Sequence, residues 1–246
     1  MTNSTASIIG LDNLVFGWGR SDDFLLEVEH LHVARGERVF LHGPSGSGKT
    51  TLLSLIAGVL LPQTGTVRIL ERELNRMNGA ARDRFRADHI GIIFQQFNLI
   101  PYLSVVENVT LPCYFSPLRR HNAKQRSQSP QTEALRLLEH LDMAHARIID
   151  KPVAELSVGQ QQRVAAARAL IGSPEILIAD EPTSSMDADR RQAFIDLLFR
   201  ECAELGSTLV FVSHDKSLLE SFDRHIDFGR SNPAPAGDSS RLREVS

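Results

Sequence analysis

Gly43-Pro44-Ser45-Gly46-Ser47-Gly48-Lys49-Thr50 fits the pattern G-x-x-x-x-G-K-[ST] at every fixed position. Glu37 to Leu41 before it reads as a short buried strand, and Thr51 to Ala57 after it as the first turns of a helix. Glycines at this spacing let the backbone curl so that successive N–H groups point inward, an anion nest. The new helix adds the positive end of its dipole, which favours a polyphosphate. Lys49 is long enough to reach the β- and γ-phosphates of a nucleoside triphosphate, and the Thr50 hydroxyl can ligate Mg²⁺. The competing reading is a glycine-rich turn followed by a chance Lys-Thr. The strand before and the helix after favour the phosphate loop.

The rest of the chain narrows the class. At 246 residues it has room for one large or two small domains. The net charge of −3 provides no basic field for nucleic acid, so no nucleic-acid partner is expected. Cys113 and Cys202 form neither a metal spacing nor a disulfide framework and suit a reducing compartment. The first residues lack the basic and apolar regions of a signal peptide. The longest apolar run, Leu52 to Leu61, is too short for a bilayer, which needs about 20 residues. A membrane role is therefore expected to come through a partner.

Ile8 to Phe16 and Leu25 to Val33 alternate as half-buried antiparallel strands do, with Gly17 to Asp23 as their turn. Trp18 sits on that turn, either folded back on the sheet or offering its face to a flat base. Ile90 to Phe94 reads as a buried strand ending on Gln95, whose amide can ligate Mg²⁺ and sense a γ-phosphate. Ser104 is expected to cap a short helix. Ser116 to Pro130 is basic and proline-bounded and reads as a solvated loop, with contact to lipid headgroups as the alternative. Thr132 to Leu141 reads as an amphipathic helix with Leu135, Leu138 and Leu141 on one face. Leu156 to Gln160 opens a helix running to Ile171, with Ser157 as N-cap and Gly159 allowing close approach of a ligand. Ile176 to Glu181 is an apolar strand ending in two carboxylates at the sheet edge where α/β folds place ligands. There Asp180 can hold Mg²⁺, and Glu181 can polarise an attacking water. A further buried strand, Thr208 to Val212, leads to His214, a candidate γ-phosphate contact. From Arg230 the composition is that of a disordered tail.

This ordered set resembles the ATP-binding cassette (ABC) ATPase family over nearly all of residues 8–229. The Leu-Ser-x-Gly-Gln segment at 156–160, between a Gln-ended and an Asp-Glu-ended strand, is specific to that family. The resemblance implies an α/β fold: a P-loop NTPase core with an antiparallel β-subdomain and a helical insertion at about 97–170. It implies ATP and Mg²⁺ as ligands. Gly43, Pro44, Ser45, Gly46, Ser47, Gly48, Lys49, Thr50 and Thr51 would hold the phosphates, and Trp18, or alternatively Phe16, would stack on adenine. Thr50, Gln95 and Asp180 would hold the metal, with Glu181, His214 and Gln95 at the reacting phosphate. Two copies would pack head to tail, so that Ser157, Gly159 and Gln160 of one complete the loop site of the other. The family's usual Leu-Ser-Gly-Gly-Gln carries Val158 at its third position here.

Two segments, Ile93 to Pro101 and Leu156 to Val164, are similar to the lipoprotein-release (LolD-like) and macrolide-export (MacB-like) branch. That likeness implies a homodimer on the cytoplasmic face of the inner membrane, held there by an integral-membrane permease. A complex that transmits force without moving a solute is an alternative. A soluble cassette protein acting on DNA or ribosomes is less favoured, since such relatives usually carry paired cassettes or extra modules and none is visible.

Overall fold

The computed structural model describes residues 7–18, 25–143, 148–184, 186–228, 239–241 and 243–244. The chain divides into two compact units, residues 1–86 with 210–246 and residues 87–209. Along the chain, the first unit carries β1 (Ser7–Gly17), β2 (Leu25–Ala34), β3 (Arg38–His42), α1 (Lys49–Ile56), β4 (Thr64–Ile69) and β5 (Arg72–Glu73). The boundary falls within α2 (Gly79–His89). The second unit then carries β6 (Ile90–Ile93), α3 (Val105–Thr110), α4 (Pro112–Phe115), α5 (Pro117–Ser127), α6 (Pro130–His140), α7 (Val158–Leu170), β7 (Ile176–Asp180) and α8 (Ala188–Leu205). The chain returns to the first unit within β8 (Thr208–Val212) and adds β9 (Arg224–Asp227), β10 (Ser239–Arg241) and β11 (Arg243–Glu244).

In the first unit, five strands form a sheet in the order β10-β2-β1-β4-β5. The β1–β2 ladder is antiparallel, as the alternation of both strands predicts, and the β1–β4 and β4–β5 ladders are antiparallel too, while the edge strand β10 pairs with β2 in parallel. Ile9, Leu11, Leu14, Leu26 and Val28 turn inward from β1 and β2 and are almost fully buried. Each such aliphatic side chain contributes about 1.5–3 kcal/mol relative to exposure. β3 pairs in parallel with β9, Leu41 opposite Ile226, and the Arg38 guanidinium binds the Asp223 carboxylate. That hydrogen bond holds the Asp223 carboxyl below the usual carboxylate range.

In the second unit, β6 and β7 pair in parallel from Ile90–Ile176 to Ile93–Ala179. Both run as short apolar stretches, the pattern of strands covered on both faces. Ser104 caps α3 with a full capping box, its hydroxyl accepting from Glu107 N while Glu107 accepts from Ser104 N. Two predictions for this unit need correction. Residues 116–130 do not form a solvated loop. Ser116 caps α5, and Pro117 stands in its first turn, where a missing N–H costs nothing. Arg119 and Ala123 face inward, and burial pushes the Arg119 guanidinium down to about 10. On α6, Leu135 is exposed, and the buried face is Ala134, Leu137, Leu138 and the following Leu141.

The predicted tail lies mostly outside the described residues, as do residues 19–24 of the first turn and Ser185. The two described pieces of the tail are paired as β10 and β11. Among the described residues, no helix is long and apolar enough to cross a membrane.

An ion network explains why the basic segment is held. The buried Glu133 carboxylate takes Arg136 Nη2 at 2.9 Å, Arg126 Nε at 3.6 Å and the Ser127 hydroxyl. Arg126 continues to Glu204 of α8, and His140 meets the buried Glu201 at 2.6 Å. Removing one member strands the charges around it. Glu133→Ala is expected to lower stability by about 3 kcal/mol or more, read as a denaturant midpoint shift. An unchanged midpoint would mean that the network lends the helices no net stability.

Candidate functional site

The loop after β3 is shaped by backbone sterics. Gly46 (φ +77°) and Gly48 (φ +96°) adopt left-handed conformations that residues with a Cβ rarely enter. Gly48 is then the N-cap of α1. Lys49, nearly buried, folds its Nζ back to donate to the carbonyls of Gly43 and Pro44, 2.8 Å each. Thr50 faces outward at the helix start. Ser47 Oγ is buried and has no hydrogen-bond partner among the described residues. An orphan hydroxyl inside a curled glycine loop is a polar group poised for a ligand. The loop therefore fits a bound polyphosphate on its own geometry.

A cleft of about 330 Å³ opens on this loop, lined by Trp18, Gly46, Gly48, Lys49, Thr50 and Thr51. That volume lies at the lower end of the range for small-molecule sites. Trp18 is 55% exposed and meets Phe16 edge-on at 5.2 Å, so its ring lines the cleft instead of lying under the sheet. Phe16 is buried beside it. The end of β8 is held next to β3, because Ser213 N donates to Leu41 O. His214, exposed, follows directly. His42, just before the loop, is buried, and desolvation lowers its pKa while Asp227, 3.7 Å away, opposes that shift.

The second unit carries the remaining candidates. β7 ends at Asp180, and Glu181 follows with φ +48°, unusual for a residue with a side chain, and is largely buried. A non-glycine residue held there costs of order 1 kcal/mol and marks a position the surroundings over-determine. Gln95 is exposed, in the turn that follows β6, with Phe97 and Asn98 left-handed behind it. Ser157 caps α7: its hydroxyl accepts from Gln160 N, while Gln160 Oε1 accepts from Ser157 N. Val158 is 54% exposed and turned to solvent.

Two residues of α7 that the sequence reading passes over organise this half. Gln162, fully buried, donates to the carbonyl of Pro182, next to Glu181. Arg168 donates to the carbonyls of Asn98 and Phe97 at 2.6 and 2.5 Å, and burial lowers its pKa. Their partners lie 20 and about 70 residues away, so no local pattern announces them.

A glycine loop feeding Lys49 and Thr50 into a helix, on an α/β chain, defines a nucleotide-binding ATPase of the P-loop class. Within that class, the family model described as ABC transporter matches residues 26–184, and the chain belongs to that family. It is an ABC-type ATP hydrolase. It is 41% identical over 208 residues to the uncharacterized ABC transporter ATP-binding protein YbbA of Escherichia coli K12, covering 85% of this chain and 87% of YbbA. It is 38% identical over 206 residues to the macrolide export ATP-binding/permease protein MacB of Campylobacter jejuni, covering 84% of this chain but 31% of MacB. Among solved structures, it is similar to the dimeric post-hydrolysis state of the ATP-binding cassette MJ0796 bound to ADP and Pi. That match has a TM-score of 0.75 and 32% identity, and it covers 97% of this chain and 99% of the other.

Lys49→Ala removes the cation that the loop now holds against its own carbonyls. The variant is expected to bind a fluorescent ATP analogue at least about tenfold more weakly, as loss of a charge-assisted contact to phosphate dictates. Unchanged affinity in equilibrium titration would make the loop a structural turn.

Proposed function

We propose that this chain is the ATP-hydrolysing subunit of an ABC transporter that dimerises on ATP and drives a permease of the lipoprotein-release or macrolide-export type. It would sit at the cytoplasmic face of the membrane through that permease. The observation that carries the dimer reading is Gly159. It takes no positive φ, and a Cβ added there would meet nothing within 4 Å among the described residues. Among the described residues nothing requires a glycine at this helix start, which supports close approach of a group from outside the chain.

In this reading the loop N–H groups and Lys49 hold the β- and γ-phosphates of one ATP. Ser157 and Gly159 of the second copy bring an α-helix N-terminus to the γ-phosphate. Thr50, Gln95 and Asp180 would hold Mg²⁺, which supplies charge neutralisation at the phosphates when bound. Glu181 accepts the proton of the attacking water and orients it, and His214 contacts the γ-phosphate. Trp18 stacks on the base. Gln162 and Arg168 tie α7 to the turns beside Glu181 and Gln95. A shift at the phosphate therefore reaches both turns through one helix.

The docking face is proposed at the turn after Gln95. The backbone there is pinned by buried Asn108, whose side chain accepts from Ile100 N and donates to the carbonyls of Ile100, Leu103 and Ser104. Tyr102 stands 78% exposed on this fixed turn. An exposed aromatic on rigid backbone is the kind of anchor interfaces use. Phe97, Leu99, Ile100 and Leu103 are only half-buried, which supports an apolar seat for a short permease helix.

Glu181→Gln is expected to bind ATP but turn over at least about a hundredfold more slowly, as loss of a positioned base dictates. It should accumulate as an ATP-bound dimer on size-exclusion chromatography. Near-normal turnover would remove Glu181 from the proposed role. Tyr102→Ala should leave the melt and ATP binding of the chain unchanged while weakening co-purification with the permease and its stimulation of ATPase activity. Leu103→Ala, half-buried, should do the same with a slightly lower melt. Permease capture that persists with a normal melt would place the docking face elsewhere.

A further inference from the structure

We propose that Asp12, His30 and His32 form a binding site for one divalent transition-metal ion of the zinc type, on the face of the β1–β2 ladder. The register brings the three together. Asp12 on β1 stands directly opposite His30 on β2, and His32 lies two residues on, on the same face, opposite Gly10. Gly10 has no side chain, and a Cβ there would touch the His32 ring at 3.5 Å. The His32 ring therefore lies over the glycine and reaches across to Asp12. His30 Nδ1 and His32 Nε2 converge on the same oxygen, Asp12 Oδ1, at 2.9 and 3.0 Å. The two rings stack 6.4 Å apart at 24°, and the three donor atoms all lie within 4.8 Å of one another.

The chemistry of the donors selects the ion. Two imidazole nitrogens and one carboxylate oxygen suit Zn²⁺ and its neighbours, whereas Mg²⁺ and Ca²⁺ require mostly oxygen ligands. With metal–ligand bonds of about 2.0–2.1 Å, ligands on a tetrahedral ion sit about 3.3 Å apart. The ring protons that face Asp12 Oδ1 move to the other nitrogen of each neutral imidazole, freeing the two lone pairs. Opening the two contacts by a few tenths of an ångström then admits the ion, and the fourth position faces water. All three side chains are solvent-accessible, which gives the ion an entry path. Arg68, opposite Gly10 on β4, is exposed to water. The other such three-residue cluster among the described residues, His140 with Glu201 and Glu204, already contains a cation: Arg136 Nη1 lies 3.1 Å from His140 Nδ1. A bound ion at Asp12 would clamp β1 to β2 within the strand that leads to Trp18.

The full chain, stripped with chelator, is titrated with ZnCl₂ by calorimetry at neutral pH, with MgCl₂ in parallel. One Zn²⁺ per chain is expected, with a rise in melting temperature and no response to Mg²⁺ at the same concentrations. Asp12→Asn, His30→Ala and His32→Ala should each weaken Zn²⁺ binding at least about tenfold and abolish the thermal shift. Their metal-free melts should match the wild type, and His140→Ala should bind as the wild type does. Titration of the wild-type chain with Co²⁺ should give a visible absorption band that Zn²⁺ displaces, a readout that needs no variant. Absence of that band, or Zn²⁺ binding that survives in the His30→Ala/His32→Ala double variant, overturns the proposal and leaves the trio a hydrogen-bonded surface cluster.

Discussion

The bonds from α7 side chains to backbone carbonyls are the constraint on which the turns of the second unit depend. A helix buried along Val164 to Ala167 and Leu170 gains by pairing the polar groups it carries toward the protein. Arg168 and the amide nitrogen of Gln162 donate to backbone carbonyls, of Phe97 and Asn98 in one case and Pro182 in the other, while Gln162 Oε1 has no hydrogen-bond partner among the described residues. Those carbonyls belong to the turns that carry Gln95 and Glu181. The left-handed residues Phe97, Asn98 and Glu181 cost free energy locally, and the fixed turns offset it. The same helix begins at Ser157, so one rigid body links the capped N-terminus to both turns.

What could be read in the sequence followed from local physics. β3, β6, β7 and β8 are runs of four or five mostly apolar residues bounded by turn signals, and the loop after β3 is specified by spacing alone. Ser104 and Ser157 were legible as caps because capping is a contact between residues three apart. α5 was not legible, because its inward face is Arg119 and Ala123 and carries no apolar period. Its Arg126 is held by Glu133 and Glu204, partners that no window along α5 contains. The phase of α6 failed for a related reason: a leucine every three residues drifts around a helix of 3.6 residues per turn, and Leu135 drifts out to solvent. Gln162 and Arg168 were missed because their roles are set by distant carbonyls, and Asn108 because its side chain bonds to an irregular turn that carries no periodic signal. β10 and β11 pair over two or three residues, a length that composition cannot register.

Val158 shows how the departure from the family's usual segment is absorbed. The capping box satisfies the N–H groups of Ser157 and Gln160. The first-turn N–H groups of Val158 and Gly159 have no partner within a helix. The Ser157 hydroxyl accepts one bond and keeps its own proton to donate. An anion at this helix end would thus be met by two main-chain donors and one hydroxyl. A valine supplies its N–H as well as a glycine does, and its side chain is turned to solvent. A β-branched residue loses little at the first position of a helix, where no preceding turn crowds its χ1. The chemistry demanded at position 158 is main-chain chemistry, so the side chain is free to vary there. In the proposed dimer, the demand at position 159 is for an absent side chain. A substitution pattern that tolerates bulk at 158 and excludes it at 159 follows from the direction of approach alone.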